Sequence, residues 1–221
     1  MSPRDHTALM AKFDHYVYNH PWKAVRGYHE DQVAPYYAPV VHQNRAEFSE
    51  FLYLCSTVRS SSKLVQIGMG ITGGAHYAFR LIFDLVVSIE LDGAHLENYL
   101  RHNAVDGAHD QFIAGNSADP KVIECAYSLA RGCDVLFIDG GHSYEDVASD
   151  WMSYRDIVRP GGLIAFHDTA PHMDLPPELG VVEFIRTLAA MPDMTGGVPV
   201  HHFQAGADQG VCCGISYYYV R

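Results

Sequence analysis

Leu64-Val65-Gln66-Ile67-Gly68-Met69-Gly70-Ile71-Thr72-Gly73-Gly74 begins as a short apolar run and then breaks into glycines. A run with no polar side reads as a strand buried on both faces. Glycines directly after it let the chain turn tightly and let a ligand approach the backbone. Four similar runs follow: Leu85-Val86-Val87-Ser88-Ile89-Glu90, Gln111-Phe112-Ile113-Ala114, Asp134-Val135-Leu136-Phe137-Ile138-Asp139 and Gly162-Leu163-Ile164-Ala165-Phe166-His167-Asp168. Longer helical segments separate them. This alternation predicts an α/β chain with a Rossmann-like, doubly wound sheet of five parallel strands and helices on both faces.

The C-terminal end has a different pattern. Residues 198–203 and 211–220 are two strand-like runs joined by the turn-rich Gln204-Ala205-Gly206-Ala207-Asp208-Gln209-Gly210. With no helix between them, they are expected to form an antiparallel hairpin. Upstream of Leu64, residues 45–58 carry a helical pattern with Phe48, Phe51, Leu52 and Cys55 on one face, ended by Ser60-Ser61-Ser62. Residues 1–44 are expected to be a cap over the site or an oligomer contact, because Trp22, Tyr28, Tyr36 and Tyr37 are too apolar for an idle tail. Residues 45–221 then form the principal domain.

Composition narrows the function classes. A hydrophobic content of 48% over 221 residues is enough for one full core. The net charge of -11, from 15 basic and 26 acidic residues, argues against a surface that tracks nucleic-acid phosphates. A small-molecule partner is expected instead. The five cysteines show neither CxxC pairs nor zinc spacing, which fits a reducing cytoplasm. No apolar signal core and no membrane-length apolar stretch is visible.

The glycines Gly68, Gly70 and Gly73 form the first candidate ligand loop. Glu90 closes the second strand about twenty residues on, where an acid accepts the ribose hydroxyls of an adenosine-type ligand, with Asp92 as its rival. Gly115-Asn116-Ser117-Ala118-Asp119 adds small polar groups after the third strand. The Lys-Ser/Thr ending of a triphosphate loop is absent, which disfavours an ATPase or kinase. Asp139 and the pair His167-Asp168 end the fourth and fifth strands. Two carboxylates and an imidazole at one sheet edge need protonation or a bridging cation, so a divalent metal is expected. His142 has an ordinary pKa near 6.5, suited to taking a proton at neutral pH. Tyr144, Glu145 and Asp150 read as scaffold and solvent face of a helix whose core positions are Val147 and Trp151. His201 and His202, adjacent on a strand, point to opposite faces and do not suit one ion.

Five parallel strands followed by a terminal hairpin resemble the class I methyltransferases that use S-adenosyl-L-methionine. Ile138-Asp139-Gly140-Gly141-His142-Ser143-Tyr144-Glu145 and Pro160-Gly161-Gly162-Leu163-Ile164-Ala165-Phe166-His167-Asp168-Thr169 more specifically resemble the cephalosporin-hydroxylase-like proteins and the macrolide and aminocoumarin sugar O-methyltransferases. The similarity runs over about residues 43–221. It implies a donor site of Gln66, Gly68, Gly70, Gly73, Glu90, Asn116, Ser117 and Asp139, and a metal site of Asp139, His167 and Asp168. The sugar enzymes hold magnesium with acids at those three positions; histidine at 167 shifts preference toward manganese, iron or zinc, or leaves the two acids to bind with waters. Gln66 and Asn116 stand where the family usually has acids. Gly141 replaces an acid that is a candidate base, which leaves that role to His142.

The expected activity is metal-assisted O-methylation of a hydroxyl on a small natural-product-like or sugar-like metabolite, in the cytoplasm, with a homodimer or higher oligomer as a possible assembly. Three alternatives stay open. A nicotinamide oxidoreductase is disfavoured by the terminal hairpin, a non-catalytic S-adenosyl-L-methionine-binding protein has the same fold, and within the enzyme class the bound sulfonium can support another reaction, such as cyclisation or hydroxylation assistance.

Overall fold

The computed structural model describes residues 7, 8, 11, 43, 45–102, 105–169, 180–203 and 214–221. Of the expected N-terminal cap, all but residues 7, 8, 11 and 43 therefore lies outside the described residues. In chain order the elements are α1 (Arg45–Val58), β1 (Lys63–Ile67), α2 (Gly74–Arg80), β2 (Leu85–Glu90), α3 (Gly93–His102), β3 (Asp110–Ala114), α4 (Pro120–Ala130) and β4 (Cys133–Ile138). They continue with α5 (Tyr144–Tyr154), β5 (Val158–Phe166), α6 (Gly180–Ala190), β6 (His201–Phe203) and β7 (Ile215–Tyr219).

The seven strands form one sheet in the order β3-β2-β1-β4-β5-β7-β6. The first five are parallel, while β7 runs antiparallel to both β5 and β6. The expected fold class, including the terminal hairpin, is thus the observed one. Side-chain alternation along the strands divides the core in two. Val65, Val87, Leu136 and Ile164 face one layer with Trp151 and Phe184. Leu64, Val86, Val135 and Leu163 face the other, where Phe48, Phe51, Phe79 and Phe137 pack with ring centroids 5.3–6.5 Å apart.

Local signals fix where the helices begin. Asp119 caps α4 by accepting from the Lys121 amide at 2.8 Å, with Pro120 pre-set at the first helical position. Ser143 caps α5 by accepting from the Asp146 amide at 3.0 Å, and its hydroxyl donates back to the Asp146 carboxylate at 2.7 Å. Each such cap contributes about 1 kcal/mol. The result sets α5 immediately after the end of β4, beside the site described below. No described helix is long and apolar enough to cross a membrane.

A buried polar chain crosses the sheet behind the glycine loop. Nε2 of His76 lies 3.1 Å from Asp110, which also takes the Arg80 guanidinium at 2.5 Å; Nδ1 of His76 lies 2.7 Å from the Ser88 hydroxyl. Burial holds the His76 imidazole below its ordinary pKa, against the pull of Asp110. The neutral ring therefore donates from Nε2 to Asp110 and accepts from Ser88 at Nδ1. The unfolded chain binds this proton more readily, so the stability contributed by neutral His76 is complete above about pH 6.5 and is lost as pH falls through that value. Urea unfolding between pH 7.5 and 5.5 is expected to show a shallower pH slope for His76→Gln than for the wild type. An identical slope would place the titration among the other thirteen histidines of the 14 present.

Candidate functional site

The sheet order reverses between β1 and β4, so the loops leaving these strands diverge and open a crevice at their carboxyl ends. The parallel ladder runs on into the loop starts: the amides of Gly68, Asp139 and His167 donate to Ile89, Ile67 and Ile138 at 2.9, 2.9 and 3.0 Å. Site residues are thereby anchored to the parallel ladder of the sheet. Two cavities of about 400 and 340 Å³ lie in this crevice and share Gly68, Gly70, Asp139 and Gly140.

The glycine loop and the β2, β3 and β4 ends line the first cavity, together with the first turns of α5. At Gly68 the backbone has φ +81°, and a Cβ would sit 1.9 Å from the Asp139 carbonyl oxygen. Gly70, at φ +69°, faces open space. Gly73 serves the helix instead. It starts α2 in the left-handed region, with the Tyr99 ring 2.4 Å from where a Cβ would be, and it lines neither cavity. Gln66 is also set back from both cavities. It is fully buried, and its amide donates to the Gly68 carbonyl at 2.7 Å, so it holds the loop rather than facing the space in front of it.

Glu90 lines the first cavity and is 7% exposed. One carboxylate oxygen accepts from the Met69 and Gly70 amides, both at 2.9 Å, and the other from the Asp92 amide at 2.9 Å. The strand-end acid thus shapes the loop while facing the cavity. Asp92 instead accepts from the Ala94 amide at 2.8 Å at the start of α3 and lines neither cavity. Asn116 and Ser117 line the far wall, and Asn116 accepts from the Ala118 amide at 2.9 Å. Asp150 is the residue sequence reasoning misplaced. It is not on a solvent face but only 3% exposed, and it lines this cavity. Its spacing from Val147 and Trp151 already put it beside the core; what the sequence lacked was which partner α5 faces.

In the second cavity Asp139, His142, His167 and Asp168 converge with Gln43, Met69 and Thr72. His167 is 6% exposed. Its Nδ1 lies 3.0 Å from Asp139 and 3.2 Å from Asp168, yet is poorly aimed for a hydrogen bond to either, so the contact is chiefly electrostatic. Burial disfavours its charge, but the two carboxylates outweigh that and hold the imidazole well above its ordinary pKa. Nε2 of His142, on a half-exposed side chain, lies 3.1 Å from Asp168, and the contact raises its pKa. Burial acts against the Asp168 carboxylate, while His167 and His142 bring it well below the usual range. Asp168 also holds the left-handed backbone at φ +56°, a conformation that side chains rarely adopt and that clusters at functional sites.

Gln43, which sequence reasoning did not single out, donates to Asp139 at 2.6 Å across 96 residues of chain. Among the described residues, ligand atoms of Asp139, His142 and Asp168 lie within 4.8 Å of one another, close enough to share a cation. That trio takes in His142, whereas the set implied by resemblance takes in His167. Gly141 faces Asp146, whose carboxylate would be 2.6 Å from an added Cβ, so this chain has no room for a side chain there. His201 and His202 diverge as expected: His201 stacks on Tyr217 and His202 bonds Ser216.

Three comparisons bear on this arrangement. An uncharacterized protein, R132, of Acanthamoeba polyphaga mimivirus is 36% identical over 72 residues, which is 33% of this chain and 32% of that protein. The chain thus aligns to about a third of the length of this relative. The O-methyltransferase of Bacillus cereus, solved with S-adenosylhomocysteine, superposes with a TM-score of 0.62 at 15% identity, over 100% of this chain and 92% of that one. MycE, the methyltransferase of mycinamycin biosynthesis solved with Mg, S-adenosylhomocysteine and mycinamycin VI, gives 0.50 at 17% identity over 71% and 44%. At these identities the structures share the fold. The family is shown by sequence: residues 51–169, from the middle of α1 through the acid–imidazole cluster, match the methyltransferase domain model. That span includes the glycine loop, Glu90, the two strand-end acids and both imidazoles, and on it the chain belongs to the methyltransferase domain family.

Proposed function

We propose that this methyltransferase moves a methyl group from S-adenosyl-L-methionine to a hydroxyl oxygen of a small metabolite, with a divalent ion beside the acceptor. One observation carries the reading. The cavity suited to an adenosyl ligand and the cavity that holds the acid–imidazole cluster meet at Gly68, Gly70, Asp139 and Gly140. A donor in the first cavity then has its reactive end facing an acceptor in the second, which in-line displacement requires. The donor supplies an electrophilic methyl on a sulfonium. The chain's own residues bind and orient: Gly68 and Gly70 leave the loop backbone open, Glu90 faces the ribose, and Asn116 and Ser117 border the base.

The second cavity fits a cation. Asp139, Asp168 and the His142 imidazole offer mixed oxygen and nitrogen donors within 4.8 Å of one another. That set suits magnesium through its carboxylates and manganese, iron or zinc through its imidazole. Such an ion polarises a hydroxyl and lowers its pKa. We assign Asp139, His142 and Asp168 as its holders, with His167 steadying the two acids from the buried side. A second reading is favoured by the half-exposed His142 backed by Asp168 at 3.1 Å, an arrangement suited to a general base. Metal analysis of His142→Ala separates them: loss of metal marks a ligand, whereas retained metal with roughly a hundredfold lower turnover marks the base. The contact of Gln43 with Asp139 supports reading residues 1–44 as a cover over this cavity.

S-adenosylhomocysteine is expected to raise the melting temperature, and NAD and ATP to leave it unchanged. Ligand at a hundredfold excess over its Kd stabilises by about 2.7 kcal/mol. Stabilisation by NAD with none from the thioether would replace this reading by the oxidoreductase one. Thioether binding with no methyl transfer to any of a panel of hydroxylated acceptors would favour a binding protein.

A further inference from the structure

The buried polar chain behind the glycine loop reaches the loop itself, and with His76 neutral it is one proton short. The Gly68 carbonyl only accepts, so the Gln66 amide turns its NH2 there, at 2.7 Å, and its oxygen toward the Ser88 hydroxyl at 3.3 Å. That hydroxyl also lies 2.7 Å from Nδ1 of His76, whose Nε2 lies 3.1 Å from Asp110. Ser88 has a single proton to give. While the neutral ring donates from Nε2 to Asp110, Nδ1 accepts, so the Ser88 proton goes to this closer partner and the Gln66 oxygen receives none. A proton added at Nδ1 reverses the order. The ring then donates to Ser88, Ser88 turns its own proton to Gln66, and every group from Asp110 to the Gly68 carbonyl has its partner. All four side chains are buried, where an acceptor left without a donor is unfavourable.

We propose that His76, which lines neither cavity, is a positioning residue for the donor: through Ser88 and Gln66, its protonation state sets how firmly the Gly68 carbonyl is held. This rests on the donor reading above. Gly68 borders both cavities, and a loop fixed in place beforehand binds its ligand more tightly. Donor affinity is thereby coupled to one buried proton, and the protonated ring is the tighter-binding state. The other groups around the ring keep their charge. From β3, burial opposes the Asp110 charge, yet His76, the Asp106 amide and Arg80 hold its carboxyl below the usual range, and Phe112 stacks on the imidazole with ring centroids 4.6 Å apart. From α2, the Arg80 guanidinium stays charged on Asp110. From α3, the Tyr99 ring meets His76 edge-on at 5.3 Å, and burial pushes its hydroxyl up to about 12. His76 alone of this group changes charge near neutral pH. Burial disfavours its charge against the pull of Asp110, so the ring is neutral at pH 7.5 and takes up its proton below about pH 6.5.

The test is nitrogen-15 NMR of the full chain, following the His76 ring from about pH 8 to about pH 5 with and without S-adenosylhomocysteine, with His76→Gln assigning its signals. If the protonated ring strengthens binding about threefold, the low end for one buried hydrogen bond gained, reciprocity requires the bound thioether to raise the His76 titration midpoint by about half a pH unit. Ser88→Ala cuts the chain between ring and amide. In that variant His76 is expected to titrate still, with a midpoint that the ligand does not move. Gln66→Leu should behave in the same way, and serves if the alanine variant folds poorly. Calorimetry supplies the matching readout: on going from pH 7.5 to 5.5, wild-type affinity should gain about threefold relative to Ser88→Ala, a change that a merely structural histidine would not produce. A midpoint that the ligand leaves unchanged or lowers, a ring that stays neutral throughout, or a rise that persists in both variants overturns the proposal and leaves the donor reading intact. Failure of the wild type to bind the thioether at any pH overturns both.

Discussion

Asp168→Asn is expected to lower turnover by at least about a hundredfold, the range for loss of a positioned acid–base or metal-holding group, while S-adenosylhomocysteine affinity stays within about threefold. Asp168 lines the second cavity alone, so its carboxylate does not face the donor. Its partners are His142 at 3.1 Å and His167 at 3.2 Å. Removing its charge leaves the buried His167 with Asp139 as its remaining counter-charge and takes away one of three ligand atoms within 4.8 Å. Asp139→Asn should differ in kind. Asp139 lines both cavities, so donor affinity and turnover should fall together. Chelation of the wild type should reproduce Asp168→Asn in both respects if the cation reading holds. Steady-state kinetics and calorimetry on the two variants and on chelated protein provide the check. Full activity in Asp168→Asn, or in metal-free protein, would show that the acids are structural.

Gly68→Ala should do the greatest damage of any single methyl group added to this molecule's site. The added carbon would lie 1.9 Å from the Asp139 carbonyl oxygen and 2.6 Å from its carbonyl carbon, both backbone atoms of β4's exit that no rotamer change can move. The φ of +81° adds the penalty of a side chain in the left-handed region, about 1–2 kcal/mol. Relief requires β1 and β4 to part where the two cavities meet. A loss of about 3 kcal/mol or more in urea unfolding is expected, with donor affinity reduced beyond detection. Gly70→Ala supplies the control. It shares a positive φ, +69°, but its Cβ meets nothing within 4 Å, so in urea unfolding it should carry only the conformational penalty; because Gly70 lines both cavities, its donor affinity is expected to fall as well. Equal losses of stability from the two substitutions would mean that the clash relaxes and that conformation alone governs this loop.

Much of this architecture was legible in the residue order. Apolar runs without a polar side, such as residues 134–139, specify strands covered on both faces. A glycine cluster after the first of them and an acid closing the second specify a ligand edge, because these patterns depend on local periodicity and backbone freedom alone. The hairpin followed from a connection too turn-rich to hold a helix. Candidate residues at strand ends were readable for the same reason: parallel topology brings all such ends to one edge.

Tertiary structure decided which of those residues line the two cavities. Gln66 and Gly73 have the right position in the motif, yet one bonds the Gly68 carbonyl and the other packs under Tyr99. Side-chain direction at a loop depends on neighbours contributed by α2, α3 and β4, which spacing does not encode. Asp150 went the opposite way, from a presumed solvent face into the cavity wall, because α5, capped at Ser143, docks beside the first cavity. His142 was drawn to Asp168 by the same docking, and Gln43 was brought to Asp139 across 96 residues of chain. Sequence determined the fold and the edge at which chemistry gathers, since those follow from local pattern. The packing of distant segments alone determined which groups meet there, since charge, burial and hydrogen bonding are properties of the assembled neighbourhood.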